Sequence, residues 1–322
     1  MTPRIRRSMQ VMAGTFLLLS AISPPIVARA ALLPPVFINS VVALGTMQRV
    51  TDVGQPPRLE WRTTGTGFFY GRTVQDDPDP LKRQYEIYLV TAKHVVQAFL
   101  SANNDLSARV NPKEPASQGR EFAIANRLQP GFGTWFCHPD QTIDVAAVQV
   151  SLPFLKAQGI EPNFFAADQH VANRELLTKL EVEAGDGIFV LGFPMGLSGA
   201  QRSYVIVRQG AIARISHMLG RASPTFMIDA FVFPGNSGGP VVLRPEVTSI
   251  LGTKSQTTAY LIGFVTGYRP YIDTAVSQQT GQPRITFEEN SGLADVLPTD
   301  VIDEAIQAWR DRRGGVGGPA CS

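Results

Sequence analysis

Cysteine is nearly absent from this chain: its 322 residues hold two, Cys137 and Cys321. Two thiols cannot staple a domain of this size, so the fold has to rest on a hydrophobic core. Histidine is also scarce, with four (His94, His138, His170, His217), and no Cys/His cluster has the spacing of a zinc site. No metal or other cofactor is expected. An excess of one charge is lacking too, with 29 Lys and Arg against 27 Asp and Glu. Without a basic surplus, nucleic acid is not an expected partner. No internal repeat and no long charge run is present.

The one distinct apolar stretch near the start, residues 11–22, is too short for a comfortable membrane span. It follows Arg4, Arg6 and Arg7 and precedes Ala28-Arg29-Ala30. That order reads as a signal peptide over residues 1–30, cleaved before Ala31, and predicts an exported, periplasmic or secreted protein. Ser8-Met9-Gln10 after Arg6-Arg7 matches the twin-arginine signal poorly, so the general route is expected. Removing residues 1–30 takes away four arginines and leaves 25 basic against 27 acidic residues, a net charge of −2. Export permits a disulfide between Cys137 and Cys321, which would tie the C-terminal tail to the first half. Two unpaired thiols are the alternative, and both stand open here.

The most informative stretch is Asp229-Ala230-Phe231-Val232-Phe233-Pro234-Gly235-Asn236-Ser237-Gly238-Gly239-Pro240. Glycines on both sides of Ser237 allow positive φ and a close backbone approach. They expose the hydroxyl on a tight turn with amide donors beside it, as an attacking serine and its oxyanion require. A plain glycine-rich turn is the bland alternative. The nucleophile elbow of α/β-hydrolases needs a histidine after the serine, and none follows Ser237. The base must come from upstream. His94 lies at the end of the β-rich run Tyr88-Leu89-Val90-Thr91-Ala92-Lys93-His94, and Asp144 opens the apolar strand Asp144-Val145-Ala146-Ala147-Val148. His138, His170 and His217 sit in a loop, a polar linker and a strand end. The order His94, Asp144, Ser237 is that of the chymotrypsin-type triad.

These segments resemble the trypsin-like serine peptidases, and within them the bacterial branch near the HtrA/DegP proteases. Thr91-Ala92-Lys93-His94-Val95-Val96 is similar to the family's T-A-x-H block, and Asp144-Val145-Ala146-Ala147-Val148 to its D-[IV]-A-[LV] block. Gly235-Asn236-Ser237-Gly238-Gly239-Pro240 matches G-[DN]-S-G-G-P, and Gly292-Leu293-Ala294-Asp295-Val296-Leu297-Pro298 resembles the last strand. The resemblance spans roughly residues 60–300. It implies an all-β fold of two six-stranded antiparallel barrels with a C-terminal helix. His94 and Asp144 would belong to a first barrel (31–150), followed by a linker with one short helix (151–184). Ser237 would belong to a second barrel (185–298), followed by a helix and tail (299–322). The Asp300 helix, with Val301, Ile302, Ala305, Ile306 and Trp309 on one face, is expected to pack on the second barrel. A PDZ domain after the last strand is not expected.

The implied chemistry is peptide-bond hydrolysis of a polypeptide through an acyl-enzyme. The oxyanion would be held by the backbone N–H groups of Gly235 and Ser237, and Thr266-Gly267-Tyr268 would pair with the substrate strand. Phe231, six residues before Ser237, would floor the specificity pocket and favour apolar or small side chains before the cleaved bond. Asp229 is read as an acceptor within the serine loop. Asn236 replaces the aspartate that pairs with a freed N-terminus in digestive trypsins, and no I-V-G-G-like start exists, so activation beyond leader removal is not expected. A catalytically silent binding protein and an esterase with the same triad are the alternatives. The segment 269–289 and the oligomeric state have no sequence reading.

Overall fold

The computed structural model describes residues 32–52, 54–100, 106–124, 130–247, 252–313 and 321. The signal peptide read over residues 1–30 lies outside them. Proline placement changes the first element. The segment from Val36 reads as a strand, but Pro34-Pro35 start a helix there, with Pro35 preset for the first turn. Helix α1 (Pro35–Asn39) is closed by the Ser40 hydroxyl donating to the Val36 carbonyl at 2.6 Å.

Strands β1 (Val41–Val50), β2 (Arg58–Gln75) and β3 (Gln84–Thr91) follow, then α2 (Lys93–Leu100), β4 (Leu106–Val110), β5 (Arg120–Ile124), β6 (Phe136–Cys137) and β7 (Ala146–Val150). Between the two halves lie α3 (Leu152–Ala157), β8 (Phe165–Ala166) and α4 (Arg174–Lys179), two helices and a strand where the sequence indicates one helix. The second half holds β9 (Gly187–Gly192), β10 (Ile206–Arg214), α5 (Ser216–Leu219), β11 (Phe226–Asp229), β12 (Pro240–Leu243), β13 (Tyr260–Val276) and β14 (Pro283–Pro298), with α6 (Asp300–Arg313) last.

The second half closes a six-stranded barrel, β10-β11-β14-β13-β12-β9. The first half does not close. It is a curled sheet in the order β5-β4-β1-β2-β3-β7-β6, which corrects the expectation of two complete barrels. Among the described residues no ladder joins β5 to β6. Phe122 of β5 packs instead with Phe132 and with Phe154 of α3, ring centroids 5.7–6.4 Å apart.

Residues 165–171 strap the halves together. Strand β8 runs parallel to β2 at Tyr70 and Gly71, and the Leu261 amide of β13 donates to the His170 carbonyl at 2.8 Å. Burial lowers the pKa of His170 below the usual 6.5, outweighing smaller upward pulls from a backbone bond and Asp168. The unfolded chain therefore takes up the proton first, and native stability falls as pH drops through 6.5 toward the lowered value. His170→Asn, which can still accept from the Ala166 amide, should flatten the drop in Tm between about pH 7.5 and pH 5.5. An equal drop in wild type and variant would assign the sensitivity elsewhere.

Helix α6 lies on the N-terminal sheet, not on the second barrel as its position after β14 leads one to expect. Trp309 stacks on Phe136 of β6 at 4.6 Å and meets the edge of Tyr88. Tyr70 donates to Asp303 at 2.9 Å, Arg310 pairs with Glu86, and Cys321 is disulfide-bonded to Cys137. The apolar stripe needed a large aromatic surface, and β6 and β3 offer it. No helix among the described residues is long and apolar enough to cross a membrane.

Candidate active site

Adjacent strand ends bring His94 and Asp144 together. Thr91 at the end of β3 pairs with Ala146 at the start of β7, so the residues just beyond each strand meet. The Asp144 carboxylate takes the His94 amide on one oxygen at 2.9 Å and His94 Nδ1 on the other at 2.7 Å. A carboxylate can only accept, so Nδ1 carries the proton and Nε2 is left as an acceptor. Lys93 secures the same loop, its amine donating to the Gln141 carbonyl at 2.6 Å. The imidazole is 48% exposed, open to an incoming molecule.

The serine loop is pressed against the same strand end. Gly235 and Gly238 have φ of +98° and +80°, a region side chains rarely adopt. A Cβ on Gly238 would lie 2.2 Å from both the Thr66 carbonyl oxygen and the Thr91 hydroxyl. Thr66, fully buried on β2, ties the loop down through its amide and its hydroxyl. Its amide donates to the Ser237 carbonyl at 2.9 Å and its hydroxyl to the Gly235 carbonyl at 2.6 Å. The same hydroxyl accepts from the Phe193 amide, and its carbonyl accepts from the Thr91 hydroxyl at 2.7 Å. Asn236, Gly238 and Gly239 spend their amides on Phe233, Val265 and Asn236. Among the described residues the amides of Gly235 and Ser237 meet no acceptor.

The remaining predicted residues border this loop. Phe231 is 54% exposed, while the carbonyl of the next residue, Val232, accepts from Asn290 at 2.6 Å. Thr266 donates to the Asp295 carbonyl at 3.2 Å, Tyr268 donates to Glu288 at 2.8 Å, and Gly267 between them faces open space. Asp229 departs from its expected role. Its carboxylate is exposed and accepts no hydrogen bond among the described residues; Asn236 is the loop's acceptor, taking the Phe233 amide at 3.1 Å. His138, His170 and His217 are elsewhere: His138 faces Glu304 of α6, His170 sits in the strap, and His217 lies on α5.

Sequence reasoning missed two residues. Thr66 stands between Gly65 and Gly67, and glycines within a strand pattern point to a bulge or a close backbone approach without naming the threonine. Arg109 gave no signal. It is 1% exposed on β4 and its guanidinium donates to the carbonyls of Gly199, Ala200 and Arg202 and to the hydroxyls of Ser198 and Ser203. The loop it holds follows the 3₁₀ turn Pro194–Gly196, whose Met195 amide donates to the Pro234 carbonyl at 2.6 Å beside Gly235.

A family model described as a trypsin-like peptidase domain matches residues 65–246, more than half of the chain and a span that includes His94, Asp144 and Ser237. The chain belongs to the trypsin-like peptidase family. No match is found among curated proteins. A peptidase domain implies a polypeptide substrate, and the open sheet, closed barrel and few helices suit that family.

Proposed function

We propose that this peptidase is an exported serine endopeptidase in which Ser237 is the nucleophile, His94 the base and Asp144 its orienting carboxylate. The observation that carries it is the 2.7 Å contact between His94 Nδ1 and Asp144, with the serine loop bonded to Thr66, whose carbonyl takes the Thr91 hydroxyl at the end of the strand that delivers His94. Nε2 of His94 takes the Ser237 proton as Oγ bonds to the scissile carbon. The amides of Gly235 and Ser237, free of protein acceptors, receive the negative oxygen. The imidazolium then protonates the leaving amine, and water repeats the sequence on the acyl-enzyme. Residues 266–268 offer main chain to the substrate strand. Phe231, an exposed aromatic ring with no acid in its place, favours apolar side chains before the cleaved bond. The Cys137–Cys321 bond favours an oxidising compartment, consistent with the leader over residues 1–30. Within the family, the sequence blocks favour the HtrA/DegP branch.

The test is intact-mass analysis after a fluorophosphonate probe. One adduct mapped to Ser237, and absent in Ser237→Ala and His94→Ala, is expected. A folded wild-type protein that takes no label would sink the proposal.

Thr66→Val keeps the shape of the side chain and removes only its hydroxyl. It strands the Gly235 carbonyl and the Phe193 amide, at a cost of about 1–3 kcal/mol. Because Gly235 is a proposed oxyanion donor, kcat should fall by about 10–100-fold with a small change in KM. A proportionate rise in KM alone would mean that Thr66 shapes substrate binding instead.

A further inference from the structure

Residues 269–289 form an arm. Beyond the barrel, β13 and β14 continue as a two-stranded ribbon, paired from Pro270 opposite Asn290 to Val276 opposite Pro283. Every residue of the arm except Ser277 is exposed. Yet it carries Tyr271, Ile272, Val276, Ile285 and Phe287, each more than half in solvent. An isolated ribbon of this kind is marginal in water, and large apolar side chains on it want a cover. The register sorts them. Tyr271 opposite Glu289, Asp273 opposite Phe287 and Ala275 opposite Ile285 share one face, so Tyr271, Phe287 and Ile285 make a single apolar strip.

The edge of the arm says what covers it. The serine loop bonds to one edge of β13, with the Gly238 amide donating to the Val265 carbonyl at 2.7 Å and the Val265 amide to the Gly239 carbonyl at 2.9 Å. From residue 266 to residue 276 that same edge has no strand beside it among the described residues. It offers about 35 Å of open main chain starting at the serine. Natural edges are usually blunted by lysine or inward charge, whereas residues 271–276 carry one charged side chain, Asp273. Pro270 and the bulges beside it divide the edge into residues 266–268 and the arm.

Resting on the serine-peptidase reading, we propose that the arm is an accessory binding site for the substrate chain itself: an unfolded polypeptide that adds along the free edge of β13. An antiparallel addition with its scissile carbonyl at Ser237 runs outward with the residues that precede the cleaved bond. The first few pair with residues 266–268, and those about four or more positions upstream reach the arm. There the strip of Tyr271, Phe287 and Ile285 takes apolar side chains. Folded proteins bury such segments, so the arm selects extended, apolar chains.

The test compares the whole protein with two variants, Tyr271→Asp/Phe287→Asp and a truncation replacing residues 270–289 by a short glycine-containing turn. Substrates are a fluorogenic dipeptide, too short to reach the arm, and reduced, carboxymethylated lysozyme. Both variants should lose about tenfold more kcat/KM on the unfolded protein than on the dipeptide. The same unfolded protein, labelled with a fluorophore, is titrated against Ser237→Ala with and without the arm changes, which reads binding without catalysis. About tenfold weaker binding in both arm variants supports the arm even if no hydrolysis is found, in which case only the peptidase reading fails. Equal binding and equal loss on both substrates overturn the arm proposal and leave the peptidase reading intact. So does an arm change whose sole effect is to split a dimer, which would make the ribbon a contact between copies.

Discussion

Ser237→Ala and His94→Ala should each lower the rate of peptide hydrolysis by about 10⁴–10⁶, and combining them should cost no more than either alone. In the proposed mechanism the two groups act as one unit, so removing either would disable the other. Asp144→Asn is the sharper variant, because Asp144 makes two separate contacts. An asparagine oxygen could still accept from the His94 amide, as Asp144 does at 2.9 Å. Its NH₂ group would then face His94 Nδ1, which Asp144 approaches at 2.7 Å. A donor there forces the proton onto Nε2, so the ring can no longer receive the serine proton. The fold should survive with an unchanged Tm, while kcat falls by about 10⁴. Steady-state rates on a peptide with the wild type, the three single variants and the double variant check this. An Asp144→Asn protein with near-normal kcat would show that the tautomer is set by another group.

Arg109→Met should lower stability by about 3–4 kcal/mol and take activity with it. The side chain is cationic, buried and without a carboxylate among its hydrogen-bonding partners; burial pulls its pKa below the ordinary arginine value. Carbonyls and hydroxyls of one loop, together with the ring of Trp61 5.2 Å away, take the place of water around it. Removing the guanidinium leaves those acceptors buried and unpaired. The loop then loses its anchor to the N-terminal sheet, and the Met195 contact beneath Pro234-Gly235 loosens with it. Urea unfolding should show the stability loss, and the residual activity should fall in kcat more than it rises in KM. Arg109→Lys should rescue little, because one ammonium cannot meet acceptors spread around a planar fork. A lysine variant indistinguishable from wild type would show that charge alone holds the loop.

What the sequence determined was local. The strand patterns, the glycines that let a serine stand on a tight turn, the separate short blocks around His94, Asp144 and Ser237 and the stripe of the last helix each follow from residues close together in the chain. Their chemistry depends on backbone conformation at one place, so it can be read at that place. Tertiary structure decided everything that depends on which distant surfaces meet. Arg109 and Gly199 bond across 90 residues, Thr66 and Gly235 across 169, and the two cysteines across 184. The seat of α6 depends on Trp309 finding Phe136. The arm at residues 269–289 belongs to the same class. The segment has no reading in the sequence: the pairing of β13 with β14 makes it a ribbon, and only the barrel beneath it shows that the ribbon's free edge begins at the serine.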